Sequence, residues 1–291
     1  MEFGVIITII GGIFWGFSGT CGQYLMGELG VAALGLTKVR LLLGGLILTL
    51  LGLLFHPKET RQLLSSPKDL LSLGVFGLFG VSFNQLSYLT AISYSDAGTA
   101  TVLQYLGPAL LVLVMCLKER RLPKPLEVLS LFLAMVGTFV LVTGGNLHAL
   151  KLSGLGLFWG ILAAVALVLY NILPEDLLRR YPTLVVTGIA MLFGGIVLTL
   201  TGCPTGVEAL WSVSGILGLM GLVIVGTVLS YSLYLHGVSL IGPVKASLIV
   251  CVEPVAAVLF SAVLLGQQFG IVDVCGMILI LTAVVLLGRK S

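Results

Sequence analysis

The stretch ASLIVCVEPVAAVL (246–259) is apolar apart from Ser247 and one pair, Glu253-Pro254. Both members of the pair are costly there. A proline inside a helix removes one hydrogen bond and presses on the carbonyl four residues back, here that of Val250. A carboxylate at the centre of an apolar helix costs about 2.5–3.5 kcal/mol on insertion scales. The first half of the chain carries an echo, ATVLQYLGPALLVL (100–113), whose Pro108 stands 146 residues before Pro254. Two apolar helices interrupted at the same depth, one in each half, have to be explained together.

The surrounding composition sets the solvent. The 291 residues are 58% hydrophobic and 9% charged, with a mean hydropathy of +1.17. A soluble domain carries about a quarter charged residues, so the chain reads as an all-α integral membrane protein. A net charge of +3 does not suggest a nucleic-acid partner. Cys21, Cys116, Cys203, Cys251 and Cys275 are scattered without CxxC spacing, and read as small buried hydrophobes rather than disulfides or metal ligands. No phosphate-binding glycine loop precedes a soluble helix, so ATP coupling within the chain is not expected. No metal or cofactor is expected. The N-terminus, MEFGVII, has no basic n-region and reads as the start of a retained helix.

A spanning helix needs about 20 mostly apolar residues. Such runs lie near 3–25, 32–54, 70–92, 96–117, 125–143, 153–173, 183–202, 212–236, 243–265 and 270–288. The basic residues test this division. Lys58, Arg61, Lys68, Lys118, Arg120, Arg121, Lys124, Arg179, Arg180, Arg289 and Lys290 all fall on one side of a ten-helix topology, and only Lys151 falls on the other. By the positive-inside bias, both termini are cytoplasmic and the chain crosses the cytoplasmic membrane repeatedly.

The two halves resemble each other. GIFWG (12–16) returns as GLFWG (156–160), GGLILTL (44–50) as GGIVLTL (194–200), and Tyr88 as Tyr234. These offsets indicate duplication, with one five-helix repeat over 1–145 and a second over 146–291. Five is odd, so the second repeat enters from the opposite side of the bilayer. Inverted repeats with interrupted helices at mid-membrane are the architecture of secondary transporters.

Together these residues resemble the drug/metabolite transporter superfamily, EamA type, which includes the YddG-like amino-acid exporters. The likeness rests on the paired repeats and on the FWG of the first and sixth runs. It rests also on Arg40, Tyr88-Leu-Thr-Ala91, Pro108, Glu119 and Glu253-Pro254. One departure is Leu265-Gly266-Gln267, where the family often has a glutamate. The resemblance implies a basket with a central cavity lined by helices 1, 3, 4, 6, 8 and 9. It also implies a small-molecule substrate, an amino acid or related metabolite, most often exported.

Each candidate site residue has two readings. Glu253 either faces the cavity, binding a substrate ammonium or a coupling proton, or is a structural carboxylate beside the kink. Lys245 either clamps charge or snorkels to the interface. Lys38 and Arg40 open the second run from its non-basic side. Arg40 could clamp a carboxylate with two parallel hydrogen bonds, or make an inter-helix contact. Asn84, Gln85, Tyr88, Gln104, Tyr105, Tyr170, Asn171, Tyr231 and Tyr234 should turn away from lipid, and all except Asn171 are taken as substrate-binding candidates. Trp15 and Trp159 stand at symmetric places and read as cavity lining or as interfacial anchors. Pro108 and Pro254 are the candidate hinges.

Gly16-Phe-Ser18-Gly19 also matches the GxSG of rhomboid-type proteases, with His236 as an imaginable base. Small residues are common where membrane helices pack closely, which is the plainer explanation. The expected function is alternating-access transport, most simply amino-acid export, with nucleosides, amines or drug-like metabolites as alternative substrates. An intramembrane serine hydrolase and a channel or scaffold are the alternatives of other classes.

Overall fold

The computed structural model describes residues 3–94, 97–144, 146, 153–200, 207–266 and 270–289. Gly145, Lys151, Cys203, Pro204, Gln267 and Lys290, on which parts of the sequence reading rest, lie outside them. Every described regular element is helical. Lipid offers no hydrogen bonds, so each apolar run satisfies its backbone internally.

Among the described residues, nine helices are long and apolar enough to cross a membrane. They are α1 (Phe3–Gly27), α2 (Ala33–Phe55), α3 (Pro67–Ile92), α4 (Ala100–Glu119), α5 (Pro125–Thr143), α6 (Gly154–Arg180), α7 (Thr183–Leu200), α8 (Val213–Ile241) and α9 (Pro243–Leu264). A tenth helix, α10 (Ile271–Arg289), contains a shorter apolar stretch. A surface helix, Pro57–Ser65, joins α2 to α3.

Glycines set the closest helix crossings, as is usual where association depends on packing rather than on a hydrophobic driving force. In α2 and α7, the repeated GGLILTL and GGIVLTL segments face one another. A Cβ on Gly188 would lie 2.6 Å from the Thr49 nitrogen, and one on Gly195 3.0 Å from that of Leu42. The α5–α10 pair crosses at Gly137 and Gly276. A Cβ on either would stand 2.8 Å from the other's carbonyl oxygen. Each close pair joins one helix of the first half to one of the second.

The symmetry extends to the irregular turns. α3 contains a π-helical segment, Phe76–Ser82, and α8 contains another, Gly221–Leu229. A π turn leaves carbonyls to be satisfied five residues on, and hydroxyls do this. Ser82 donates to the Gly77 carbonyl, Thr227 to that of Leu222, and Ser230 to that of Val225, at 2.8–2.9 Å. These wide turns were not anticipated from the sequence.

The prolines act as their positions predict. Pro108 has no N–H for the Gln104 carbonyl, and the α-helical hydrogen bonding of α4 breaks between Gln104 and Leu106. Pro254 has none for the Val250 carbonyl, and α9 tightens into a 3₁₀ turn at Val250–Val252 before resuming at Glu253.

One end of the bundle carries the start of α1, the α8–α9 turn and the basic connections. Gly4 abuts Ile241 there, and Val5, Val244 and Val284 share a buried cluster. This is the termini end, and the opposite one is the far end.

Candidate functional site

A cavity of about 580 Å³ runs from the middle of the bundle toward the far end. That volume lies in the usual range for small-molecule sites. Its deep wall includes Gly16, Arg40, Gln85, Tyr88, Glu253 and Pro254, and it widens toward Gly27 and Ile92. Among the described residues the lining comes from α1, α2, α3, α4, α5, α8 and α9. The expectation that α6 lines the cavity is corrected. α6 packs behind α3 and α4, where Gly160 meets Leu103 and Gly107 meets Leu167.

Arg40 is the best-anchored polar side chain in the wall. Its Nε donates to Thr227 Oγ1 at 2.8 Å. One terminal nitrogen donates to the Gly226 carbonyl at 2.8 Å and to Ser18 Oγ at 3.4 Å. The other donates to Gln85 Oε1 at 3.3 Å. The guanidinium also stands over the Tyr231 ring, 5.7 Å from its centroid. The socket is formed by the π segment of α8, which presents Gly226 and Thr227 to α2. All of these acceptors are uncharged. No ion pair within 4 Å joins Arg40 to a carboxylate among the described residues. Glu253 lines the same cavity, at the first turn after the α9 break.

Below this wall lies an aromatic floor. Trp15 packs on Tyr231 and Tyr234 with ring centroids 5.0 and 4.9 Å apart. Tyr170 packs on the same two tyrosines and on Phe76 at 5.8–6.0 Å. Gln85 Nε2 donates to the Tyr231 hydroxyl, and the Tyr234 hydroxyl donates to Asn171 Oδ1. The Trp15 indole nitrogen and the Tyr170 hydroxyl are buried with no hydrogen-bond partner in the structure. Further toward the termini end, Val5, Leu111, Met115, Val244, Leu248 and Val252 pack tightly.

Several residues singled out from the sequence therefore lie elsewhere than in the cavity wall. Trp15, Tyr170, Tyr231 and Tyr234 belong to the floor. Asn84 and Gln104 bond each other, with Gln104 Nε2 donating to Asn84 Oδ1 at 3.3 Å, and tie α3 to α4. Tyr105 sits in a buried cluster with Cys251, Val255 and Met277. Trp159 stands edge-on to the exposed Phe158. Lys245 lies in a separate pocket of about 420 Å³ at the termini end, with Glu119, Arg121, Lys124 and Glu127. It starts α9 two turns before Glu253, too close to the bundle end to reach the cavity. Lys38 is 3% exposed and does not line the cavity.

The sequence reading missed the small polar wall of Ser18, Thr20, Thr37 and Ser261. Thr20 Oγ1 and Ser261 Oγ are 3.3 Å apart and link α1 to α9. The GFSG segment was a signal for this wall, though it also fitted a protease motif. Ser18 and His236 do not form a catalytic pair. His236 is exposed and packs against Phe3. Ser18 lies 15 residues along the same helix from Phe3, roughly 22 Å at 1.5 Å per residue.

At the termini end, which the aromatic floor closes off from the cavity, two ion-paired contacts cross between the halves. Asp69 pairs with Arg180 at 2.8 Å and accepts from the Tyr181 hydroxyl at 2.7 Å. That hydrogen bond to a carboxylate pushes the Tyr181 phenol pKa up. Lys118 pairs with Glu175 at 2.7 Å.

A duplicated bundle of apolar helices around a cavity that holds Arg40 and Glu253 defines a multi-pass membrane protein. The chain belongs to the EamA-like transporter family, whose profile matches it twice, over residues 2–143 and 154–289. It is 40% identical over 288 residues to a protein of Salmonella typhimurium named as the uncharacterized inner membrane transporter YicL, covering 99% of this chain and 96% of that one. An uncharacterized transporter of Clostridium kluyveri is 22% identical across 97% of this chain and 91% of its own. A solved crystal structure shares the fold with a TM-score of 0.78 at 19% identity, covering 97% of this chain and 95% of that one. The chain is thus a membrane transporter, as the resemblance in its sequence implied.

Proposed function

We propose that this transporter is a secondary carrier of amino acids, working by alternating access in the inner membrane and exporting its substrate. The observation that carries this reading is the placement of Arg40 and Glu253 in the wall of one cavity that opens at one end only. A zwitterion presents a carboxylate to Arg40 and an ammonium to Glu253, so one small molecule meets both charges. The closed end carries the basic connections. By the positive-inside bias the cavity then opens to the outside, the releasing state of an exporter, and both termini are cytoplasmic. The relative named as an inner membrane transporter supports the location.

The two units, divided at 145/146, rock against one another about the α2–α7 and α5–α10 crossings. Pro108 and Pro254 serve as hinges, because the breaks they impose leave α4 and α9 without continuous helical hydrogen bonding at mid-depth. Glu253 is also the candidate site for a coupling proton. An amine is the second substrate reading, favoured by Glu253 alone.

Purified protein in liposomes preloaded with unlabelled substrate tests this, with labelled amino acids and labelled amines added outside. Saturable counterflow of an amino acid supports the proposal. Counterflow of amines alone supports the second reading, and flux that never saturates points to a channel.

A further inference from the structure

Gln85 hydrogen-bonds both to the charged wall and to the aromatic floor. Its Oε1 accepts from Arg40, and its Nε2 donates to the Tyr231 hydroxyl. Tyr231 in turn packs on Trp15 and Tyr170. Gln85 and Tyr231 are 146 residues apart, the offset that relates Tyr88 to Tyr234 and Pro108 to Pro254. They are therefore equivalent positions in the two halves, in direct contact. Equivalent residues of an inverted repeat meet only at the pseudo-two-fold axis. That is where the halves must part if the closed end is to open.

We propose that Gln85 is the coupling residue of the carrier: an anionic substrate group that takes the Arg40 guanidinium draws it from the Gln85 amide, and the Tyr231 latch on the floor loosens. This rests on the reading of the cavity as a substrate site. Two features fit it. The Arg40–Gln85 hydrogen bond, at 3.3 Å, is longer than the 2.8 Å bonds that hold Arg40 to α8, so it is the weaker one to displace. The floor also buries the Trp15 nitrogen and the Tyr170 hydroxyl without partners, so water or substrate entering on opening supplies bonds the closed state lacks. On opening, the surface exposed below the floor is the pseudo-symmetric partner of the present wall. Val238, 4% exposed, would then take the place that Ile92 holds now.

The test is labelling of single cysteines in the full-length protein in liposomes, with the five native cysteines replaced by serine and alanine. A membrane-impermeant maleimide is added from either side. Ile92→Cys reports the open end and Val238→Cys the closed one. Gln85→Leu, which keeps the size and removes both bonds, should raise Val238→Cys labelling from the termini side about fivefold, the ratio that one net hydrogen bond is worth. Gln85→Glu accepts from both Arg40 and Tyr231, and should lower it below the unmodified level. Ile92→Cys labelling from the far side shows that each variant is folded. Unchanged Val238→Cys labelling in folded Gln85→Leu overturns the proposal, and so does equal loosening by both variants. Because no substrate is added, the outcome is independent of whether amino acids show counterflow.

Discussion

Gln85 in α3 and Tyr231 in α8 hold equivalent places in the two halves of the chain, and the amide of the first donates to the phenol of the second. The contact marks the boundary between the cavity that holds Arg40 and Glu253 on one side and a sealed aromatic layer on the other. Arg40, in the cavity wall, is tied to this boundary through the Gln85 amide. The expected effects of substitution follow from that arrangement.

Arg40→Lys should abolish most counterflow although the charge is kept. A lysine ammonium cannot reach Thr227, Gly226 and Gln85 together, because only the planar guanidinium has donors in that fork. Leaving these acceptors unpaired should also lower stability by about 2 kcal/mol. Counterflow together with thermal unfolding in detergent checks both effects. Full transport by Arg40→Lys would show that the fork is not needed.

Pro254→Ala should separate stability from transport. The alanine restores an N–H for the Val250 carbonyl and lets α9 run through its 3₁₀ turn. Thermal stability should stay level or rise, while counterflow slows about tenfold, equivalent to about 1.4 kcal/mol on the barrier. Pro108→Ala should do the same at the symmetric break in α4.

Asp69→Ala should weaken the closed end. It removes the Arg180 ion pair and the Tyr181 hydrogen bond in one step. Arg180 is half exposed and rehydrates, so the melting temperature should fall by less than the loss of a fully buried pair would cause. The termini-side accessibility of Val238→Cys should rise with it. A variant with an unchanged melting temperature and unchanged labelling would show that this contact does not hold the end shut.

Gly137→Val should be strongly damaging although it lies away from the cavity. Its side chain would drive into the Gly276 carbonyl at the α5–α10 crossing, costing about 3 kcal/mol. The yield of folded protein after size-exclusion chromatography reports it, and a normal yield would contradict the packing described.

Much of the scaffold was legible because membrane insertion writes it in composition. The apolar runs, the repeated GGLILTL and GGIVLTL segments and the paired prolines mark helices, duplication and breaks in the sequence itself. The direction in which each side chain points was not legible. A lipid-facing and a core-facing surface are both apolar, so Trp15 could be placed at mid-helix but not assigned to the floor rather than the wall. The socket of Arg40 was equally hidden. Its partners Ser18, Gly226 and Thr227 lie far away in sequence, and two of them depend on a π turn that FGLFGVS and GLVIVGTVL do not announce. Lys245 could be read from its place near a helix end as snorkelling, whereas the sequence left open whether Arg40 meets a substrate or another helix.

The most direct measurement is amino-acid counterflow by Glu253→Gln in liposomes beside the unaltered protein. The substitution keeps size and hydrogen-bonding capacity and removes the only carboxylate among the described cavity-lining residues. The expected result is a correctly inserted protein whose counterflow is reduced several-fold. Counterflow equal to that of the unaltered protein would contradict it.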